Sequence, residues 1–533
     1  MSPETLLLLA LGALAVVAAA RWVGERTALP AAALLPVLGI LYAVLPGPNI
    51  ELDPHIVLTF ILPPLLYSAA LDSSLLAIRA NLRIVIGLSV LLVLATALLI
   101  GAGFALFVTG ATLAAGVAVG AAVAPPDPVA ALAVGRKVGL PPRLITIIQG
   151  EGLLNDATAL TILNVAVAAA VGGHFSFPVA AGRFLLAAAG GTAVGVAVAF
   201  AMRMLRPIAK DALLANAVSL ATPFVAYLAG ERLHVSGVLA VVVAGLIVGH
   251  DTPRSGTGAG RLQTSAVWRL VDFLLEGLVF LLIGQQLPAV LHGLKQYDGS
   301  TVAIALAVSL VGTLLLRPVW LILTQAAHLL LRREDEGLAG REIVALSWSG
   351  TRGVISLAAV FTIPLTTDAG EGFPDRDLLL FCTFVVVLVT LVGQGLTFAP
   401  LVRLLGLRPN EVDEARERNE ARAAAAHAAL DRLDDLDEDE PAEQREIEAL
   451  RRKFKEQLQR YEHRLDVLQK ADSDELPVSE RYEAALRIRR LAIEAQREEI
   501  LRRRDAGGLS DEALRRLERE LDLEERVLPD RPN

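Results

Sequence analysis

Among its 533 residues the chain has one cysteine, Cys382, and that cysteine lies in an apolar run. An intrachain disulfide is excluded, and nothing beside Cys382 suggests a metal site. The eight histidines form no His-Glu-x-x-His pair, and there is no Walker loop and no Gly-x-Ser-x-Gly within an apolar run. These absences remove zinc-hydrolase, nucleotide-driven and serine-hydrolase readings, so neither a cofactor nor an enzyme activity is expected. Basic charge is almost all arginine and forms no block, which argues against a nucleic-acid partner. The first apolar run, 6–20, has no basic residue before it and is followed by another apolar run. A cleaved signal peptide has a basic start, so the run reads as a retained helix.

What is present is apolar, at 54% hydrophobic residues, and unevenly spread. Residues 411–533 hold 35 acidic and 25 basic residues, against 22 and 24 in the first 410. More than half of all charge therefore sits in the last quarter of the chain. The expected organisation is a membrane domain over 1–410 and a charged, soluble, helical tail over 411–533.

Apolar runs separated by glycine, proline and charge give thirteen spans, near 6–20, 30–46, 55–71, 84–108, 112–134, 144–170, 180–202, 212–229, 235–249, 268–288, 301–330, 343–364 and 378–402. The ninth is short and is expected to begin earlier or to tilt less. With the tail on the cytoplasmic side, thirteen spans place the N-terminus outside. Eighteen Lys and Arg then fall on the inner side, and only Arg183, Arg232, Lys295 and Arg376 on the outer. This is the bias of a multi-pass protein of a plasma membrane, and one span more or fewer would scramble it. An Arg-rich, Lys-poor, Ala-rich chain hints at a bacterial genome.

Two spans cannot be continuous helices. The fifth contains Ala124-Pro125-Pro126-Asp127-Pro128, where three prolines remove donors and clash with preceding carbonyls. The twelfth contains Ser349-Gly350-Thr351-Arg352-Gly353, two glycines and a charge inside an apolar run. If spans 1–6 and 8–13 are two six-helix repeats, these breaks occupy matching positions and the repeats are inverted. Paired interrupted helices point to a transporter site at the membrane midplane. Two unrelated kinks in a large bundle are the plainer alternative.

The sixth span carries Gly150-Glu151-Gly152-Leu153-Leu154-Asn155-Asp156. Ionisable groups at membrane depth are costly and usually line a pathway; the plainer reading is a buried polar cluster that locks helices together. Asp156 is the leading ion-binding candidate. A carboxylate in a partly dry site holds a proton or a hard monovalent cation, but not both well, so competition at one carboxylate gives cation/proton exchange. A single such carboxylate favours one-for-one, electroneutral exchange. Asn155 supplies an amide beside it. Asp127, at the start of the half-helix after the break, fits equally a structural cap and an ion ligand, and the freed carbonyls of Pro125 and Pro126 are placed to face the cation. Glu151 needs a partner, and Arg317 in the eleventh span is the best one. Arg352 is placed to balance exposed carbonyl ends at its break. Glu276 is a further intramembrane acid with a role in access or gating. Small residues from Ser236 to Gly249 read as close helix packing.

The tail reads as helices over 411–432, 443–470, 478–504 and 509–527, with an acidic run from Asp434 to Glu440 that Pro441 ends. Heptad spacing is not sustained, so a solvated helical bundle is favoured over a dedicated dimerisation or ligand-sensing device.

With these residues the chain resembles the monovalent cation:proton antiporters, which include bacterial sodium/proton antiporters and animal sodium/proton exchangers. The match runs from about Leu6 to Leu407. It is carried by Phe60 through Leu66, Asp127 through Ala130, Glu151 through Asp156, Ser236 through Gly249, Phe280 through Gly284, Arg317, Arg352-Gly353 and Gln394 through Leu396. The resemblance implies an all-α polytopic protein with thirteen spans in inverted repeats. It implies a homodimer in membrane lipid, with a dimerisation domain and a core domain that moves the site across the membrane by alternating access. It also implies that Asp156 is the exchange carboxylate, Asn155 structural beside it, and Glu151 paired with Arg317. There are departures. Many members have Thr where Pro126 stands, an acid at Ser68 and Ser at Gly152. The reduced ligand set leaves sodium, the first expectation, alongside potassium and lithium. A channel or uniporter using the same pathway is the main alternative. An intramembrane aspartyl protease on Asp127 and Asp156 lacks its Gly-x-Gly-Asp setting, and a sensor whose tail does the work is the third rival.

Overall fold

The computed structural model describes residues 2–27, 29–45, 53–172, 177–205, 211–254, 258–330, 337–368, 370–408, 410–435, 441–469, 480–506 and 508–526. They are almost wholly helical and fall into two compact units, Met1–Arg408 and Pro409–Asn533.

Every one of the thirteen apolar runs is a helix or a broken helix. These are α1 (Pro3–Thr27), α2 (Ala31–Val44), α3 (Pro54–Leu71), α4 (Leu82–Phe107), α5 (Leu113–Val123 and Pro128–Val138), α6 (Pro142–Gly172), α7 (Phe177–Leu205), α8 (Ala212–Arg232), α9 (Gly237–Asp251), α10 (Gly258–Gln285), α11 (Gly299–Leu330), α12 (Gly340–Trp348 and Val354–Phe361) and α13 (Arg376–Leu405). Nine candidate spans among the described residues are long and apolar enough to cross a membrane. Helices α2 and α9 are apolar but shorter, α10 carries too much charge, and α12 is split.

Local chemistry sets the ends. Thr112, Asp127, Asp211 and Ser236 each accept a backbone N–H from the first turn of the helix they precede. Gly139 and Gly406 adopt φ of +73° and +62° and close α5 and α13. Two boundaries differ from the sequence expectation. Helix α9 does not begin earlier: Ser236 caps it at Gly237, after a turn with His234 at φ +55°. Helix α10 begins at Gly258, ten residues before its apolar run, because its first turns are polar and hydropathy cannot see them.

The helices pack as two sets. In one, α4 lies on α5, α5 on α6, and α11, α12 and α13 close around them; in the other, α2 lies on α10, and α9 on α3, α7 and α8. The small residues expected to tighten α9 do so. A Cβ on Gly249 would come within 2.6 Å of the Leu71 carbonyl, and one on Gly245 within 2.7 Å of Ala70, so α3 and α9 touch through bare backbone. Helices α3, α4 and α13 each contain a π-helical turn, at Val57–Ile61, Gly87–Leu92 and Val389–Gln394.

The second unit consists of α14 (Glu411–Asp434), α15 (Pro441–Gln469), α16 (Glu480–Asp505) and α17 (Asp511–Arg526). Val412 and Ala415 at the start of α14 are buried with Leu468 at the end of α15, and Arg451 pairs with Asp434 at the other end. The pair is therefore an antiparallel hairpin. Arg497 on α16 bridges Asp522 and Glu525 on α17. Most of the acidic run before Pro441 lies outside the described residues.

Candidate functional site: two broken helices and an acidic cavity

The interruptions of α5 and α12 meet. The Asp127 N–H donates to the Thr351 carbonyl at 2.6 Å, and the Thr351 hydroxyl donates to the Asp127 carbonyl at 2.8 Å. Each break thus satisfies polar backbone of the other, which lets non-helical chain exist at membrane depth. Two side chains complete the crossing. Asp127 accepts the Val129 N–H at 2.9 Å, capping the second half of α5 at its positive end. Arg352 bonds Gly350 in its own break, but it also crosses to α5, donating to the Val123 carbonyl at 2.8 Å and the Ala124 carbonyl at 3.2 Å. Those carbonyls end the first half of α5, where acceptors lack helical partners. Each charge sits where it opposes a helix dipole. The Arg352 N–H donates to Thr390 at 3.0 Å, within the π-helical turn of α13. Gly353 must be glycine here, since a Cβ would overlap the Asp127 carboxylate.

Helix α6 runs beside this crossing and divides its three polar groups. Arg317 donates to both carboxylate oxygens of Glu151 and, through Nε, to the Leu346 carbonyl at 2.8 Å. One guanidinium thereby ties α6, α11 and α12, with the two side chains only 1% and 3% exposed. Asn155 turns to the α5 break and donates its amide to the Pro126 carbonyl at 2.8 Å. The carbonyl expected to face a cation is thus already used by a neighbour, although its second lone pair is not. Asn155 Oδ1 is buried without a partner among the described residues. Asp156, about 100° further round the helix, is 4% exposed and has no hydrogen-bond or ion-pair partner among the described residues. Gly152 lets α6 reach α5 here: a Cβ would come within 2.7 Å of Pro128 Cδ.

Asp156 opens onto a cavity of about 260 Å³. Asp127, Glu276, Asp272 and Asp72 line the same cavity, and Arg136 is the cation among its lining residues. Sequence reading singled out Glu276 and passed over Asp272, although the two are four residues apart and share a face of α10. Asp272 is held by Ser68, whose hydroxyl lies 2.6 Å from each carboxylate oxygen. A second, wider cavity of about 820 Å³ adjoins the first and shares Ser68, Asp72 and Asp272 with it. Among the described residues no three His, Cys, Asp or Glu converge as a metal-ligand set, so the acids are spaced along the wall.

Residues 11–404 match the model of a family described as sodium/hydrogen exchanger, transmembrane. A Na+/H+ exchanger of Mycobacterium tuberculosis, named as uncharacterized, is 31% identical over 515 residues, covering 95% of this chain and 93% of its own. The sodium, potassium, lithium and rubidium/H+ antiporter of Bacillus subtilis is 33% identical over 371 residues, 67% of this chain and 55% of its own. In fold, the sodium proton antiporter MjNhaP1 from Methanocaldococcus jannaschii superimposes with a TM-score of 0.60 at 19% identity, over 75% of this chain and 99% of that one. The chain belongs to the sodium/hydrogen exchanger family.

Proposed function

We propose that the protein is a secondary active antiporter that exchanges one monovalent cation for one proton at Asp156. The observation that carries this reading is the contrast between two carboxylates on α6. Glu151 is neutralised by a bidentate arginine, while Asp156, five residues on, is buried, unpaired among the described residues and open to a cavity. A bare carboxylate in such a place is costly, and either a proton or a cation relieves the cost. Competition for the same oxygens then couples the two fluxes without a cofactor. Asn155, whose Oδ1 lacks a partner among the described residues, and the Pro126 carbonyl beside it are the neutral oxygens nearest in kind to a cation ligand. Asp127 is committed to capping α5 and to the crossing, so its role is chiefly structural.

The two cavities are lined by Asp72, Arg136, Arg261 and Arg269, on the side that charge distribution assigns to the cytoplasm. In this reading the cavities face the cytoplasm. Relative movement of the two helix sets supplies alternating access, and the protein works as a homodimer in a bacterial plasma membrane. Sodium is the proposed cation, with potassium and lithium as the alternatives to assay, since one relative's name includes all three. The test uses proteoliposomes with a pH gradient and an internal pH dye. Sodium, potassium or lithium should collapse the gradient for wild type and not for Asp156→Asn. A wild type inert to all three refutes the reading.

A further inference from the structure

We infer that Asp272, fixed by Ser68 and continued by Glu276 one turn along α10, is a cation-selecting antechamber through which the transported ion passes between the wide cavity and Asp156. The inference rests on the exchange reading of Asp156. Asp272, Asp72 and Ser68 are the polar residues the two cavities share, so Asp272 stands at their junction. Glu276 lies on the inner side of that junction, lining the narrower cavity together with Asp156 and not the wider one. Seen from the wide cavity, Glu276 and Asp156 thus both lie beyond Asp272. Glu276 has no hydrogen-bond or ion-pair partner among the described residues. Asp156, on the same cavity, is likewise unpartnered among the described residues and only 4% exposed.

The chemistry fits an ion in passage. Ser68 lies 2.6 Å from both oxygens of Asp272, yet one hydroxyl carries one proton, so lone pairs remain for a cation. The same hydroxyl pins the carboxylate across from α3, which fixes its position in the junction. Since no three acids converge, no station cages the ion, and a site crossed in transport must bind weakly enough to release. Carboxylate and hydroxyl oxygens suit a hard monovalent cation. Arg136, facing the same cavity, opposes trapping.

The experiment measures cation-dependent proton flux in inside-out vesicles, so that cation is offered to the cavity side, and separately from the opposite side. Asp272→Asn should raise the cavity-side KM about tenfold with kcat held within twofold, and leave the opposite-side KM unchanged. The exchange Ser68→Asp with Asp272→Ser returns a carboxylate to the junction from α3 and should recover most of the lost affinity. A cavity-side KM within twofold of wild type in Asp272→Asn overturns the inference. So does a fall in kcat that the exchanged pair does not repair, because that marks a structural role. Failure of the exchange reading looks different: Asp156→Asn would then still transport, whatever Asp272 does.

Discussion

Replacing Arg317 by methionine removes the partner of a carboxylate that has nowhere to go. Glu151 is 1% exposed and receives both of its hydrogen bonds from that one guanidinium. Breaking a buried pair from one side costs about 3–5 kcal/mol, since the charge left behind is neither solvated nor paired. The Leu346 carbonyl also loses one of its two donors, keeping the Ser349 hydroxyl at 2.9 Å, which adds at most about 1 kcal/mol. The sum is a large share of the 5–15 kcal/mol by which folded proteins are usually stable. For a bundle of this size it should lower the midpoint of thermal unfolding in detergent by about 5–10 °C. Glu151→Met in the same background takes away the stranded charge, and the double variant should regain more than half of the loss. A double variant no more stable than Arg317→Met alone would refute the argument, because the cost would then not lie in the orphaned carboxylate. So would an Arg317→Met protein as stable as wild type.

Other substitutions probe the crossing itself. Gly353→Ala should destabilise by about 1–3 kcal/mol through overpacking and abolish exchange. At φ −119° the backbone suits any residue, so a crystal structure of the variant should show Asp127 displaced and the α12 backbone unmoved. Gly152→Ser should reduce the transport rate in this chain, because Pro128 occupies the space; unchanged flux would show that α5 can shift. Asn155→Ala strands the Pro126 carbonyl and should cost about 1–3 kcal/mol, read as a lowered melting temperature. Removal of residues 410–533 should leave cation/proton exchange in place, since the first unit is compact by itself; loss of all flux in a folded truncation would assign the transport cycle to the tail.

Much of this was legible in the sequence for identifiable reasons. Hydropathy finds helices that bury their backbone polar groups in themselves, and all thirteen runs are helical. Three prolines and two glycines beside charges announce the breaks. A glutamate and an arginine stranded in apolar runs require each other, which is how Glu151 and Arg317 are matched 166 positions apart. What stayed hidden depends on three-dimensional meeting points. Nothing in the local sequence says that Arg352 serves the carbonyls of Val123 and Ala124, or that Thr351 bonds Asp127. Asp272 was overlooked because it sits where α10 turns from polar to apolar, so it reads as the edge of a span. Its spacing from Glu276 was the available signal. The Ser68 hydroxyl that makes Asp272 part of a site comes from a helix more than 200 residues earlier.

The claim that cation and proton compete for Asp156 can be put to titration calorimetry of the purified protein, run in buffers of different ionisation enthalpy. Sodium binding to wild type should release about one proton per ion, and its affinity should weaken as pH falls. Asp156→Asn should show neither effect. Sodium binding without proton release in wild type, or release that persists in Asp156→Asn, would contradict the exchange mechanism at this residue.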